Sequence, residues 1–134
     1  MSDAEARLRA FEDRLALEDL ISTYALLVAR GDGPGVVDLF SDDGEFIGLT
    51  HTVSGRQALL TFYIGAARSG AIVPFVANKV FTISGDTARG ASTLVALSPP
   101  PGRQLLCGAY DDDFVRTAEG WRFRRRRFIT HFES

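Results

Sequence analysis

The second half of the chain, from Ile72 to Phe132, sets the tightest limit on the fold, because it is a succession of Val-, Ile- and Phe-rich stretches separated only by turn signals. Ile72 to Ile83 reads as a strand ended by Ser84-Gly85-Asp86, and Thr87 to Leu97 as its antiparallel continuation. Pro99-Pro100-Pro101-Gly102 cannot continue a ladder, so a further strand is expected from about Gln104 to Thr117. Ala118-Glu119-Gly120 then turns the chain into a last strand, Trp121 to Phe132. A meander of this length needs something to cover one face.

The first half supplies helices. Leu8, Phe11, Leu15, Leu20, Tyr24, Leu27 and Val28 recur at helical spacing between Asp3 and Arg30, with Ser2 and Glu5 at capping-box spacing and Gly31 as the stop. Asp32-Gly33-Pro34-Gly35 turns the chain, and Pro34 opens a short helix through Phe40. Ser41-Asp42-Asp43-Gly44 reads as a turn and Glu45 to Thr50 as a short strand. Ser54 and Gln57 repeat the capping-box spacing before a helix that ends at Ser69-Gly70. Helices first and strands afterwards predict an α+β fold, with N-terminal helices packed on a curved, mainly antiparallel sheet.

At 134 residues, one core and a single domain over 1–134 are expected. The N-terminus mixes charges where a signal peptide needs an apolar stretch, and no apolar run reaches the roughly 20 residues that cross a bilayer, so a soluble cytoplasmic protein without membrane contact is expected. One cysteine, Cys107, and two histidines give no disulfide and no metal-ligand spacing. The net charge of −2 offers no field for nucleic acid, and the basic run Arg124 to Arg127 lacks a surrounding patch. The only lysine, Lys79, follows no glycine-rich phosphate loop, so neither nucleotide nor any other cofactor is expected.

Several segments in this order resemble the SnoaL-like family of the nuclear transport factor 2-like superfamily, which includes scytalone dehydratase and polyketide cyclases. They are Leu20-Ile21-Ser22-Thr23-Tyr24, Leu39-Phe40-Ser41-Asp42-Asp43, Ser54-Gly55-Arg56-Gln57-Ala58-Leu59, Asn78 followed by Ser84-Gly85-Asp86-Thr87-Ala88, and Tyr110 to Arg116 leading into Gly120-Trp121-Arg122-Phe123. The resemblance implies a cone-shaped barrel around an apolar pocket for a cyclic or polyketide-like compound, with dehydratase, isomerase or cyclase chemistry. In dehydratase-like members, a carboxylate near the end of the first helix and a histidine four residues before the marker Asn form an acid/base dyad. Those positions are Ala29 and Pro74 here, and neither side chain moves a proton. An Arg of dehydrohalogenase-like relatives, five residues beyond the last-strand Trp, corresponds to Arg126, where a guanidinium would stabilise developing negative charge.

The remaining polar residues are read beside that resemblance. Tyr110 and Asp112 share a strand face with Leu106 and Phe114, and Arg126 on the next strand is the natural partner of a buried Asp112, as an internal strut or as a polar anchor. Strict alternation makes Arg124 share the facing of Arg126. Tyr110, Asp112 and Arg126 are therefore the candidate catalytic residues, and Tyr24, Asn78 and Phe128 the candidate ligand contacts. Tyr24 also fits a core aromatic, and Asn78 a residue that satisfies local backbone. His51 and His131 sit near a turn and the chain end, and an Asp43–His51 pair is the arrangement that would restore a dyad. Asp32 has a cap context. The alternatives to an enzyme are a ligand-binding module and a dimeric interaction module whose outer sheet face would present Phe75, Ala77 and Phe81. The expected partners are a small organic ligand and a second copy of the chain.

Overall fold

The computed structural model describes residues 1–70, 72–101 and 103–134. Helix α1 (Asp3–Arg30) starts on Ser2, whose Oγ accepts the Glu5 N–H, and ends on Gly31, whose φ of 72° lets the Asp32 N–H reach the Leu27 carbonyl. Helix α2 (Gly33–Val37) is capped by Asp32, which accepts the Gly35 N–H at 2.9 Å. Strands β1 (Phe40–Ile47) and β2 (Thr52–Ser54) precede helix α3 (Arg56–Arg68). Strands β3 (Val73–Ser84), β4 (Thr87–Leu97), β5 (Leu105–Thr117) and β6 (Gly120–Glu133) form the meander.

All six strands make one sheet in the order β2-β1-β6-β5-β4-β3, antiparallel except where β1 runs parallel to β6. The sheet curves round the helices without closing, and β2 and β3 are its edges. Leu17, Leu20, Ile21 and Tyr24 of α1, Leu59 and Tyr63 of α3, and Leu94, Phe114 and Phe123 of the sheet lie in the buried core. Leu17 and Leu59 are fully buried, each contributing roughly 2 kcal/mol of transfer free energy. Small residues on the inner face of β4 are required for this packing. A Cβ on Gly90 would lie 2.9 Å from the Phe114 ring and 3.0 Å from the Phe81 ring.

The structure corrects five local expectations. The short helix ends at Val37, and Ser41 to Gly44 lie inside β1, where a register shift between Phe40 and Glu45 against β6 absorbs them. Strand β2 has no counterpart among the expected elements. The cap of α3 is Gly55, at a φ of 86°, because the Ser54 hydroxyl donates to Glu45 instead. Leu8, Phe11 and Leu15, expected on the core stripe of α1, are exposed; the body of the protein contacts the opposite side of the helix, beginning at Asp13. Of the rigid break before β5, Gly102 lies outside the described residues.

A charged strut ties α1 to the β5–β6 end of the sheet. Arg116 donates twice to the Asp13 carboxylate at 2.8 Å, and the Trp121 indole N–H donates to it at 3.1 Å. Hydrogen bonding from Arg116 holds Asp13 below the ordinary carboxylate range.

Candidate functional site

A cavity of about 240 Å³ opens between α1, α3 and the inner face of the sheet. Its wall is apolar, with Leu27, Val28, Phe46, Phe62, Leu94 and Phe128 among the lining residues, and it is polar chiefly where Tyr24, Tyr63 and Tyr110 meet it. Each tyrosine comes from a different element: α1, α3 and β5. The Tyr24 and Tyr63 hydroxyls are 2.7 Å apart, and the Tyr24 ring meets those of Tyr63 and Tyr110 edge-on at 6.1 Å. Burial raises the phenol pKa of all three, and neighbouring phenols add to the effect at Tyr24 and Tyr63. They therefore remain neutral hydrogen-bond donors at physiological pH.

Behind this wall lies a fully buried guanidinium. Arg126 is stacked 3.4 Å from the Tyr110 ring centroid, 4.2 Å from that of Tyr24 and 4.6 Å from that of Phe123. Asp112 faces it across the β5–β6 ladder, with its Oδ1 3.4 Å from Arg126 Nε. Among the described residues, no hydrogen-bond partner meets the geometry of a bond to the carboxylate oxygens of Asp112 or the guanidinium nitrogens of Arg126. Burial pushes the Asp112 carboxyl up to about 7 despite the opposing attraction of Arg126. Burial also disfavours the Arg126 charge, but Asp112 and the surrounding tyrosine oxygens outweigh it and hold the guanidinium protonated. Of the two partners, the acid gives up its charge first.

The sequence candidates separate into three groups. Tyr24, Tyr110 and Phe128 line the cavity, while Asp112 and Arg126 stand behind it. Asn78 lies outside the cavity, which corrects its assignment as a ligand contact. It is exposed at a φ of 56° in a bulge between Ala77 and Val80, and its amide donates to Thr93. The same bulge reverses the facing of the later residues of β3, so Phe81 is buried while Phe75 and Ala77 are exposed. Arg124 does not share the facing of Arg126: a register shift opposite Asp113 and Phe114 turns it outward, to pair with Asp43 at 3.2 Å.

Among the described residues, no carboxylate–histidine dyad is assembled in the cavity. Ala29 is half-buried, and Pro74 is buried opposite Ala96; neither is among the lining residues. Asp43, His51 and His131 are exposed, so the Asp43–His51 pair is not assembled inside the cone. Among the described residues, the only carboxylate on the lining is Asp32, the cap of α2. Also among the described residues, no group of three or more His, Cys, Asp and Glu side chains could hold a metal ion, and no helix is long and apolar enough to cross a membrane.

Sequence reasoning missed two features. Tyr63 was legible as a core-facing residue of α3, but nothing local indicates that its hydroxyl meets Tyr24, 39 positions away. Asp13, an acid among the charged residues of α1, carries no sign that it anchors Trp121.

Comparison with known proteins agrees with this architecture. The family model described as a SnoaL-like domain matches residues 9–127. No curated protein matches the chain. A nuclear transport factor 2-like protein with a cystatin-like fold from Novosphingobium aromaticivorans is 29% identical, with a TM-score of 0.88 over 96% of this chain and 88% of its own. A scytalone dehydratase-like protein of the same species is 20% identical, with a TM-score of 0.85 over 93% and 88%. Hexachlorocyclohexane dehydrochlorinase LinA-type3 of Novosphingobium barchaimii is 17% identical, with a TM-score of 0.85 over 96% and 92%. The last two are similar in fold alone.

Proposed function

The chain belongs to the SnoaL-like domain family, and from that premise we propose that it is a small-molecule enzyme of dehydratase, isomerase or cyclase type. Its substrate is a cyclic or polyketide-like compound with a carbonyl group, bound in the apolar cavity. The observation that carries this reading is the set of three neutral tyrosines on a largely apolar wall. A phenol donor in a largely apolar site stabilises negative charge that develops on a carbonyl oxygen as the neighbouring carbon gives up a proton, and the Asp32 carboxylate, the one acid on the lining among the described residues, takes that proton. Either hydroxyl of the Tyr24–Tyr63 pair can donate to the other across 2.7 Å, and with Tyr63 donating, the Tyr24 proton is left for the substrate oxygen. Tyr110 supports it, and the Arg126 charge behind both rings favours an anionic oxygen in front of them. The volume of the cavity suits one or two fused rings.

A second reading, a ligand-binding module without chemistry, is favoured by the poverty of acid–base groups on the lining, where Asp32 is the only carboxylate among the described residues, and by the resemblance, which implies dyad positions at Ala29 and Pro74. One pair of measurements separates the two readings. Fluorescence titration with 2-naphthol, a bicyclic mimic of an enolate, is expected to saturate, with affinity roughly tenfold weaker in Tyr24→Phe. Hydrogen–deuterium exchange at the α-carbons of 2-tetralone in heavy water, followed by NMR, is expected to be accelerated by the protein. Naphthol binding without accelerated exchange establishes the binding module, and the absence of both overturns the cavity as a ligand site.

A further inference from the structure

We propose that the N-terminal half of α1 pairs in parallel with the same helix of a second copy of this chain. Every residue from Met1 to Glu12 is exposed, and Asp13 is the first side chain of α1 to be buried. Nearly three helical turns thus carry no buried side chain, although Arg9 reaches Asp86 of the body at 3.9 Å. Their outer side is apolar: Leu8 is 59% exposed, Phe11 66% and Leu15 60%.

The order of residues identifies the occupant. Ala4, Leu8, Phe11 and Leu15 follow the alternating spacing of four and three that makes a coiled-coil seam. On one flank of that seam stand Glu5, Glu12 and Asp19, and on the other Arg7 and Arg14. In a parallel pair each flank meets the opposite flank of the partner five residues further on. Arg7 of one copy then faces Glu12 of the other, and Arg14 faces Asp19. An antiparallel pair would set arginine against arginine and acid against acid. Arg14 already leans toward the Phe81 ring, 5.7 Å from its centroid, so Arg7 contributes the cleaner contact. The core-facing residues Leu17, Leu20, Ile21 and Tyr24 lie on the far side of the helix, which leaves the seam open to a second copy. The exposed outer sheet face, where Phe75, Val95 and Phe132 align across the strands, carries no comparable charge order to select an occupant.

The test uses the full chain. Sedimentation over a range of concentrations is expected to show a reversible dimer. Leu8→Asp with Leu15→Asp is expected to raise its dissociation constant by roughly 100-fold. Both side chains are exposed in the monomer, so unchanged circular dichroism is expected. Arg7→Glu with Arg14→Glu is expected to weaken the dimer roughly tenfold, and adding Glu12→Arg with Asp19→Arg to restore it. In a Cys107→Ser background, Leu8→Cys is expected to form a disulfide-linked dimer under mild oxidation, because parallel pairing brings the two copies of that position together. A wild-type monomer at every concentration, or a dimer that survives Leu8→Asp with Leu15→Asp, overturns the proposal. Crosslinking of Ala4→Cys to Leu15→Cys in place of Leu8→Cys to itself also overturns it.

Discussion

Asp112→Asn tests the charge state of the buried pair directly. The folded-state carboxyl titrates at about 7, chiefly because it is buried, whereas an unfolded aspartate titrates near about 3.9. Between those values the folded chain holds a proton that the unfolded chain has released. Stability therefore falls as pH rises, by about 1.4 kcal/mol per pH unit, and the group's contribution is fully present only below the unfolded value. The total across the window is roughly 4 kcal/mol at most. Asparagine has nearly the shape of the protonated acid and does not titrate. Urea unfolding of the wild type and the variant at intervals between about pH 4.5 and about pH 8.5 should give similar stabilities at the acid end. The variant should then gain on the wild type steadily up to about pH 7 and level off above it. Other titrating groups cancel in that difference. A difference that is flat, or in which the wild type gains as pH rises, would mean that Asp112 is ionised throughout and that attraction to Arg126 outweighs burial.

Two further outcomes probe the frame that holds the site. Asp13→Asn removes the charge that Arg116 and Trp121 share and is expected to cost about 2–4 kcal/mol in denaturant unfolding near neutrality. Because the folded Asp13 pKa is depressed, that gap should persist above about pH 4 and shrink only as pH falls through the folded value. Gly90→Ala drives a methyl group into the rings of Phe114 and Phe81 and is expected to cost about 1–3 kcal/mol, read as a lower urea midpoint with an unchanged slope.

Much of this architecture is legible without coordinates because its signals are local. The Val- and Ile-rich runs and their Gly-centred turns define the hairpins of β3 to β6, and Ser2 and Gly31 bound α1 by capping chemistry alone. Signals fail where long-range pairing takes over. Ser41 to Gly44 have turn composition, yet the segment belongs to β1 because Phe40 pairs with Phe123 and the Leu39 carbonyl accepts the Phe123 N–H at 2.8 Å. The apolar residues of α1 form two stripes on opposite sides of the helix, and a single helical period merges them into one.

The chemistry of the inner face depends on two inserted residues that no pattern of alternation reveals. Trp121 and Phe123 are buried, so strict alternation along β6 would continue inward through Arg125 and Arg127. The register shift at Arg124 moves the inward positions by one, to Arg126 and Phe128, and leaves Arg125 and Arg127 in solvent. The charge behind the tyrosines therefore exists because of that bulge; without it the guanidinium facing Asp112 would belong to a different residue. The second bulge, at Asn78 on β3, removes an amide from the cavity side and turns Phe81 inward against Phe114, 6.0 Å between ring centroids. Bulge positions are set by the partner strand as much as by the strand that carries them. That dependence explains why the inward facing of Arg126 comes from the family resemblance, which places an Arg five residues beyond Trp121, while nothing in the sequence shows the outward facing of Arg124 and Asn78.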